Sequence, residues 1–299
     1  MYSQARTELK TLRDALRFAV SRFGEANLVF GHGTDNAFDE AAYLVLHALH
    51  LPLDRLEPFL DARLTRHEMG RVLDLVERRV VERCPAAYLT NEAWLGDLRF
   101  YVDRRVIVPR SFIAELIRER LVPWLPENAA ISRILDLCTG SGCLAVMLAF
   151  FFPEAQVVAT DLSPGALEVA ARNVRDHGLA GRIELMEADV FSTVGAQRFD
   201  LIVSNPPYVT DAAMAALPDE YRCEPEAALA GGADGMNVVR RIVNEAAAYL
   251  TDDGLLAVEV GQNRDCVEAA FPHLPLVWPA TRGGEDRVFV IARADLPGA

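Results

Sequence analysis

Lysine is almost missing from this chain: of thirty basic residues, only Lys10 is not arginine. The bias reflects genome composition rather than function. No glycine-rich turn leads into a Lys-Ser/Thr pair, so a triphosphate cradle is not expected. Cysteines are few: Cys84, Cys138, Cys143, Cys223 and Cys266 make an odd count without a CxxC pair, and there is no Asn-x-Ser/Thr sequon. Both facts point to a reducing cytoplasm rather than a disulfide framework. The six histidines are scattered, none beside cysteines or carboxylates at a ligand spacing, so no metal site is expected. The longest apolar run, Cys143–Phe152, has ten residues, whereas a spanning helix needs ~20. The opening "MYSQARTELKTLRD" lacks an apolar signal core, so neither a membrane nor export is expected. Internal repeats and low-complexity segments are also missing.

What is present is a globular composition, with 51% hydrophobic and 24% charged residues in 299. That is enough for one large domain or two ordinary ones. The net charge of −13 is unevenly placed. Residues 1–90 hold 12 basic and 13 acidic residues, and the remainder holds 18 and 30. An acidic field repels a phosphate backbone and attracts a basic partner; solubility alone would also account for it.

The first 90 residues read as helices. Leu9, Leu12, Leu16 and Val20 recur at helical spacing with Ser3 as N-cap, and Thr65 with Glu68 forms a capping box ahead of another apolar stripe. From Glu92 the period changes. Gly96-Asp97 between two aromatic and β-branched runs predicts a hairpin, and Ser111 then caps a helix carrying Ile113, Leu116, Ile117 and Leu121. Six strands are predicted at 133–137, 156–160, 182–186, 199–204, 254–260 and 287–292, with helices at 143–151, 164–177, 237–250 and 263–270. Apolar strands alternating with helices make a mostly parallel sheet covered on both faces.

The first of these strands runs into "DLCTGSG", residues 136–142. A glycine-rich turn there lets backbone approach a ligand, although any tight strand–helix turn favours glycine. Strand two ends at Asp161, where a carboxylate can take two ribose hydroxyls, and strand three is followed by Asp189, which can accept from an adenine amine. An acidic residue opening the loop, Asp136, suits a cationic ligand better than a pyrophosphate. S-adenosylmethionine is such a ligand. Strand four ends in "NPPY": Asn205, Pro206, Pro207 and Tyr208. The Asn205 amide oxygen and the Pro206 carbonyl are two acceptors on a stiff backbone, able to grip both hydrogens of one NH2 group. Tyr208 adds a flat face.

These four motifs together resemble a class I S-adenosylmethionine-dependent methyltransferase. The resemblance implies an α/β, Rossmann-like, mostly parallel seven-stranded sheet. It places the cofactor on Asp136, Cys138, Thr139, Gly140, Ser141, Gly142, Asp161, Leu162, Asp189, Val190 and Asn205. The family commonly has glycine where this chain has Cys138, an exchange that fits if residue 138 keeps a negative φ. Phe191 packs either on the adenine or in the core. Glu259, ending strand five, is a candidate supporting residue.

N-P-P-Y is shared by adenine-amino DNA methyltransferases and glutamine-amide protein methyltransferases. The acidic charge, the absence of a basic cluster and an acidic loop holding Asp219, Glu220, Glu224 and Glu226 favour a protein substrate. Residues 217–242 and "VIVPRSFIAELI" (106–117) are similar to the protein-glutamine methyltransferases, which implies that Arg110 helps order the mouth of the site and meets substrate. Residues 29–52, "AAYLTNEAW" (86–94) and "LDLCTGSGC" look like the branch acting on the third large-subunit ribosomal protein; the release-factor branch is the alternative. The implied layout is a helical substrate-recognition domain (1–90), a hairpin linker (91–110) and a methyltransferase domain (111–299). A basic ribosomal protein is the implied partner, with no DNA, membrane or metal.

Overall fold

The computed structural model describes residues 1–125 and 129–299. The chain forms two compact units, one of Met1–Ala93 together with Leu217–Cys223, the other of Trp94–Ala216 and Glu224–Ala299.

The first unit is helical: α1 (Tyr2–Glu8), α2 (Leu12–Glu25), α3 (Ala37–Ala48), α4 (Arg66–Glu82) and the short α5 (Ala86–Thr90). The single N-terminal helix predicted from the leucine spacing is in fact two. Leu9 is extended, and the Thr11 hydroxyl accepts from the Asp14 N–H while the Asp14 carboxylate takes the Thr11 N–H. That capping box starts α2 afresh, and Ser3 lies inside α1 rather than capping it. Thr65 and Glu68 cap α4 in the same way. The helices bury Leu12, Leu16, Phe23, Leu44, Val72 and Leu73 in a common core.

The second unit opens with the hairpin of β1 (Ala93–Leu95) and β2 (Leu98–Phe100), turned at Gly96 with φ +62°, and continues through α6 (Ile113–Arg118). There follow β3 (Arg133–Leu137), α7 (Cys143–Phe151), β4 (Gln156–Asp161), α8 (Pro164–Asp176), β5 (Ile183–Glu187) and β6 (Phe199–Ser204). The chain continues through β7 (Val209–Thr210), α9 (Asp211–Ala215), β8 (Ala230–Gly232), α10 (Asn237–Glu245), β9 (Leu250–Glu259), α11 (Arg264–Ala270) and β10 (Val288–Ala292).

The main sheet has the order β10-β9-β6-β3-β4-β5, parallel except for β10. Alternate residues of β3 serve opposite faces: Ile134 joins a core with α7, while Leu135 and Leu137 join one with α10. Both faces are covered, which is why its strands read as continuous apolar runs. Among the described residues six strands pair in this sheet where seven were expected. The seventh is reduced to one antiparallel bridge of Val277 with Val290, bonded in both directions at 3.0 and 2.8 Å. The next bonding positions on that segment are Pro275 and Pro279, which have no N–H to donate. Strand order reverses about β3, so the carboxyl ends of β3 and β6 open onto the crevice where such sheets bind ligands.

Candidate active site

The glycine-rich turn after β3 is built on the end of β4. Thr139 N–H donates to the Thr160 carbonyl at 2.9 Å, and Gly140 N–H donates to Asp161 Oδ2 at 2.8 Å. The other oxygen of Asp161 takes the Ser163 N–H at 2.9 Å. Cys138, Gly140 and Gly142 all have positive φ (59°, 56° and 77°). Cys138 therefore does not keep the negative φ under which it would replace glycine without strain. It holds the left-handed conformation itself, at a cost of about 1–2 kcal/mol. Its thiol, only partly exposed, is pushed up to about 12, chiefly by burial and then by Asp161, so it stays protonated and unreactive. A Cβ at Gly142 would lie 3.1 Å from Ala170 Cβ, so glycine there brings the turn down onto α8.

Asp136 is fully buried and accepts from the Thr139 hydroxyl at 2.6 Å. Burial pushes its carboxyl up to about 7 against the pull of the Thr139 hydroxyl and the Ala145 N–H. Burial likewise raises Asp161. Ser141 is buried in the turn, and Leu162 is 65% exposed beside Asp161. Asp189 is exposed and paired with Arg241 at 2.7 Å. Val190, buried, has φ +57°, a strained setting for a β-branched residue. Phe191 belongs to the core, stacked on Tyr249 with ring centroids 4.4 Å apart.

Asn205 leaves β6 at the carboxyl edge, since Ser204 pairs with Leu137 on one side and Val258 on the other. Ser204 Oγ donates to the Leu137 carbonyl at 2.9 Å, locking the exits of β3 and β6 together. Pro206 is buried, and Asn205 and Pro207 are partly exposed. Tyr208 sits in a socket of glycines. A Cβ at Gly261 would come within 2.5 Å of its ring and one at Gly231 within 2.7 Å of its Cα, while Gly235 abuts its carbonyl. Asn263 Nδ2 donates to that carbonyl at 2.6 Å, and the parallel pairing of β7 with β8 holds the following residues. Burial first, then the charge of Glu259, raises the Tyr208 hydroxyl above its ordinary range.

Arg110 donates from both terminal guanidinium nitrogens to the buried Glu224, at 2.6 and 2.7 Å, and Glu224 also takes the Val108 N–H at 2.9 Å. Glu220, fully buried in the first unit, takes Arg83 at 2.8 Å and the Val29 N–H at 3.1 Å. Two of the four acids that sequence reading assigned to an acidic loop are thus internal ion-pair partners and present no charge to a protein substrate. Sequence reading also passed over Gly231, Gly235 and Gly261 as a Tyr208 socket. The signal was there in "AGGADG", where three glycines cluster without a hairpin to require them, and in the lone glycine of "EVGQN". Among the described residues no group of three or more His, Cys, Asp or Glu is placed to hold a metal, and no helix is long and apolar enough to cross a membrane.

A doubly wound sheet with this turn and N-P-P-Y at its switch point defines a methyltransferase, and residues 118–218 match the MTS family, the methyltransferase small domain. The catalytic domain of hMettl16 shares the fold, with a TM-score of 0.51 at 15% identity over 85% of this chain and 90% of that one. Similarity to two bacterial proteins runs end to end. One, from Bordetella pertussis, is 57% identical over 99% of both chains; another, from Burkholderia pseudomallei, is 57% identical over 97% of both. Both are named ribosomal protein uL3 glutamine methyltransferase, and this chain belongs to that family.

Proposed function

We propose that this protein transfers a methyl group from S-adenosylmethionine to the side-chain amide nitrogen of a glutamine in ribosomal protein uL3. The observation that carries the substrate is similarity at 57% identity over the whole chain, helical unit included, to the enzymes named for it.

The residues present suit the cofactor. Asp161 at the end of β4, already oriented by the Gly140 and Ser163 N–H groups, serves the ribose hydroxyls. The exposed Leu162 gives an apolar face for the adenine, and Asp189 and Val190 serve its edge, Asp189 in exchange for Arg241. Cys138, Thr139, Ser141 and Gly142 shape the turn, and Asp136 behind it favours a cation. When bound, S-adenosylmethionine supplies an electrophilic methyl on its sulfonium.

The clamp does the rest. Asn205 Oδ1 and the Pro206 carbonyl accept the two N–H bonds of the glutamine amide, which directs the nitrogen lone pair and favours its pyramidal form. Pro207 keeps the turn stiff, and Tyr208 lies against the planar amide. An amide nitrogen is a poor nucleophile because its lone pair is delocalised, and positioning of this kind can supply up to roughly 7–11 kcal/mol. No strong base is needed, because the methylated nitrogen becomes acidic and releases its proton to water. Arg110 orders the mouth through Glu224 and borders the substrate path, and the helical unit docks the substrate. The acidic balance of the chain suits a basic ribosomal protein.

The test is transfer of labelled methyl to uL3, a release factor and duplex DNA side by side, with Asn205→Ala as control. Label on uL3 alone is expected. Label on the release factor would move the substrate to the related branch, and label on DNA would overturn the protein reading.

A further inference from the structure

The end of β9 carries a buried carboxylate that the reaction does not use. Glu259 is 2% exposed, and both oxygens are occupied. Oε2 accepts from the Ser111 hydroxyl at 2.6 Å and the Phe112 N–H at 2.8 Å, and Oε1 accepts from the Tyr208 hydroxyl at 3.2 Å. Every donor to it is neutral. An apolar residue would pack this space without the cost of burying a charge, so the retained carboxylate needs a reason. Its valence supplies one. A glutamine can accept from Ser111 and Phe112 on its single oxygen and donate to the Tyr208 oxygen, which turns the Tyr208 hydroxyl away in search of another acceptor; only a carboxylate accepts on both sides.

Tyr208 is thereby fixed at three points. Asn263 holds its carbonyl, the bare backbone of Gly261 lies against its ring, and Glu259 holds its hydroxyl. Ser111 Oγ in turn accepts from the Ile113 N–H at 3.2 Å, which extends the connection into α6. We propose that Glu259 is the positioning residue of the N-P-P-Y clamp: by accepting from the Tyr208 hydroxyl it sets the plane of the ring against which the target amide lies. This rests on the reading that Tyr208 faces the substrate.

The experiment compares Glu259→Gln, Tyr208→Phe, the double variant and Tyr208→Ala. It reads kcat and KM for uL3, cofactor affinity by calorimetry and the melting temperature. Glu259→Gln and Tyr208→Phe are each expected to lower kcat about tenfold with KM little changed. The double variant should lose no more than the worse single one, since Glu259→Gln withdraws the acceptor and Tyr208→Phe the donor of the same contact. Cofactor affinity should stay within about twofold. Additive losses, or wild-type turnover in Glu259→Gln while Tyr208→Ala is impaired, would overturn the positioning role and leave the clamp standing. Wild-type turnover in Tyr208→Ala would overturn the reading that Tyr208 faces the substrate, and the positioning role with it. If Glu259→Gln does not fold, Tyr208→Phe carries the test alone: a tenfold loss supports the role and wild-type turnover ends it.

Discussion

Two sets of carboxylates in this chain have different partners. In the helical unit, Glu40 and Glu220 meet arginines: Arg79 bonds Glu40 at 2.6 Å, and Arg83 bonds Glu220 at 2.8 Å. Around the glycine-rich turn, the buried Asp136 of β3 and the half-buried Asp161 at the end of β4 meet only a hydroxyl and backbone N–H groups, and burial raises both. A carboxylate neutralised by arginine is complete and does structural work. One given only neutral donors keeps an unbalanced charge, which at the open edge of the sheet a cation and hydroxyls from a ligand can satisfy, whereas the enclosed Glu259 spends it on Tyr208. The contrast separates structural from functional acids where the amino-acid letters alone do not.

Its largest test is Arg79→Met. Arg79 is 0% exposed and serves Glu40, the Val29 carbonyl and, at 3.7 Å, Glu220. Its loss leaves buried acids short of a cation, and unfolding in urea should show a loss of about 3–5 kcal/mol. Stability equal to wild type would erase the contrast. Asn205→Ala comes next. Turnover should fall on the order of a hundredfold or more, the scale for a lost transition-state contact, while calorimetry finds cofactor affinity within a few fold.

Asp161→Ala should weaken S-adenosylmethionine binding by about 1.5–3 kcal/mol, the range for hydrogen bonds to a charged group, with little loss of stability. Unchanged affinity would remove Asp161 from the ribose. The smallest effect is in pH. Asp136 stands at about 7 in the fold against an ordinary 3.8, so between those values the folded chain binds more protons than the unfolded one. Stability from this group therefore falls as pH rises from 4 towards 7 and is level above. Between pH 5.5 and 7.5 the wild type should lose about 2 kcal/mol relative to Asp136→Asn. A cationic ligand favours the ionised form, so cofactor affinity should rise through pH 7 in the wild type and stay flat in the variant.

Much of this was legible along the chain. The six strands stand close to where the apolar runs put them, and so do most of their helices, although the helix expected over 237–250 ends at Glu245 and β9 begins already at Leu250. Asp136, the glycine turn, Asp161 and Asn205 all come to the carboxyl edge of the sheet because each ends a strand or begins the turn after it. Local rules failed where a short cap outweighed a long pattern, as at Thr11 and Asp14, or where two prolines cut a strand to one bridge at Val277. Cys138 shows the limit inside a motif: the letter does not say that the backbone holds it at φ +59°.

By itself, then, the sequence determined the strands, the helices and the residues delivered to the strand ends, since hydrophobic period and turn chemistry act over neighbours, while the strand order came from the fold. Only the tertiary structure decided which charges are spent. Arg110 meets Glu224 114 residues away, and Ser111 meets Glu259 148 residues away. The acids of residues 217–226 look alike in sequence, yet Glu220 and Glu224 are closed inside the protein. Burial and pairing depend on what the folded chain brings alongside, and no periodicity encodes a partner more than a hundred residues distant.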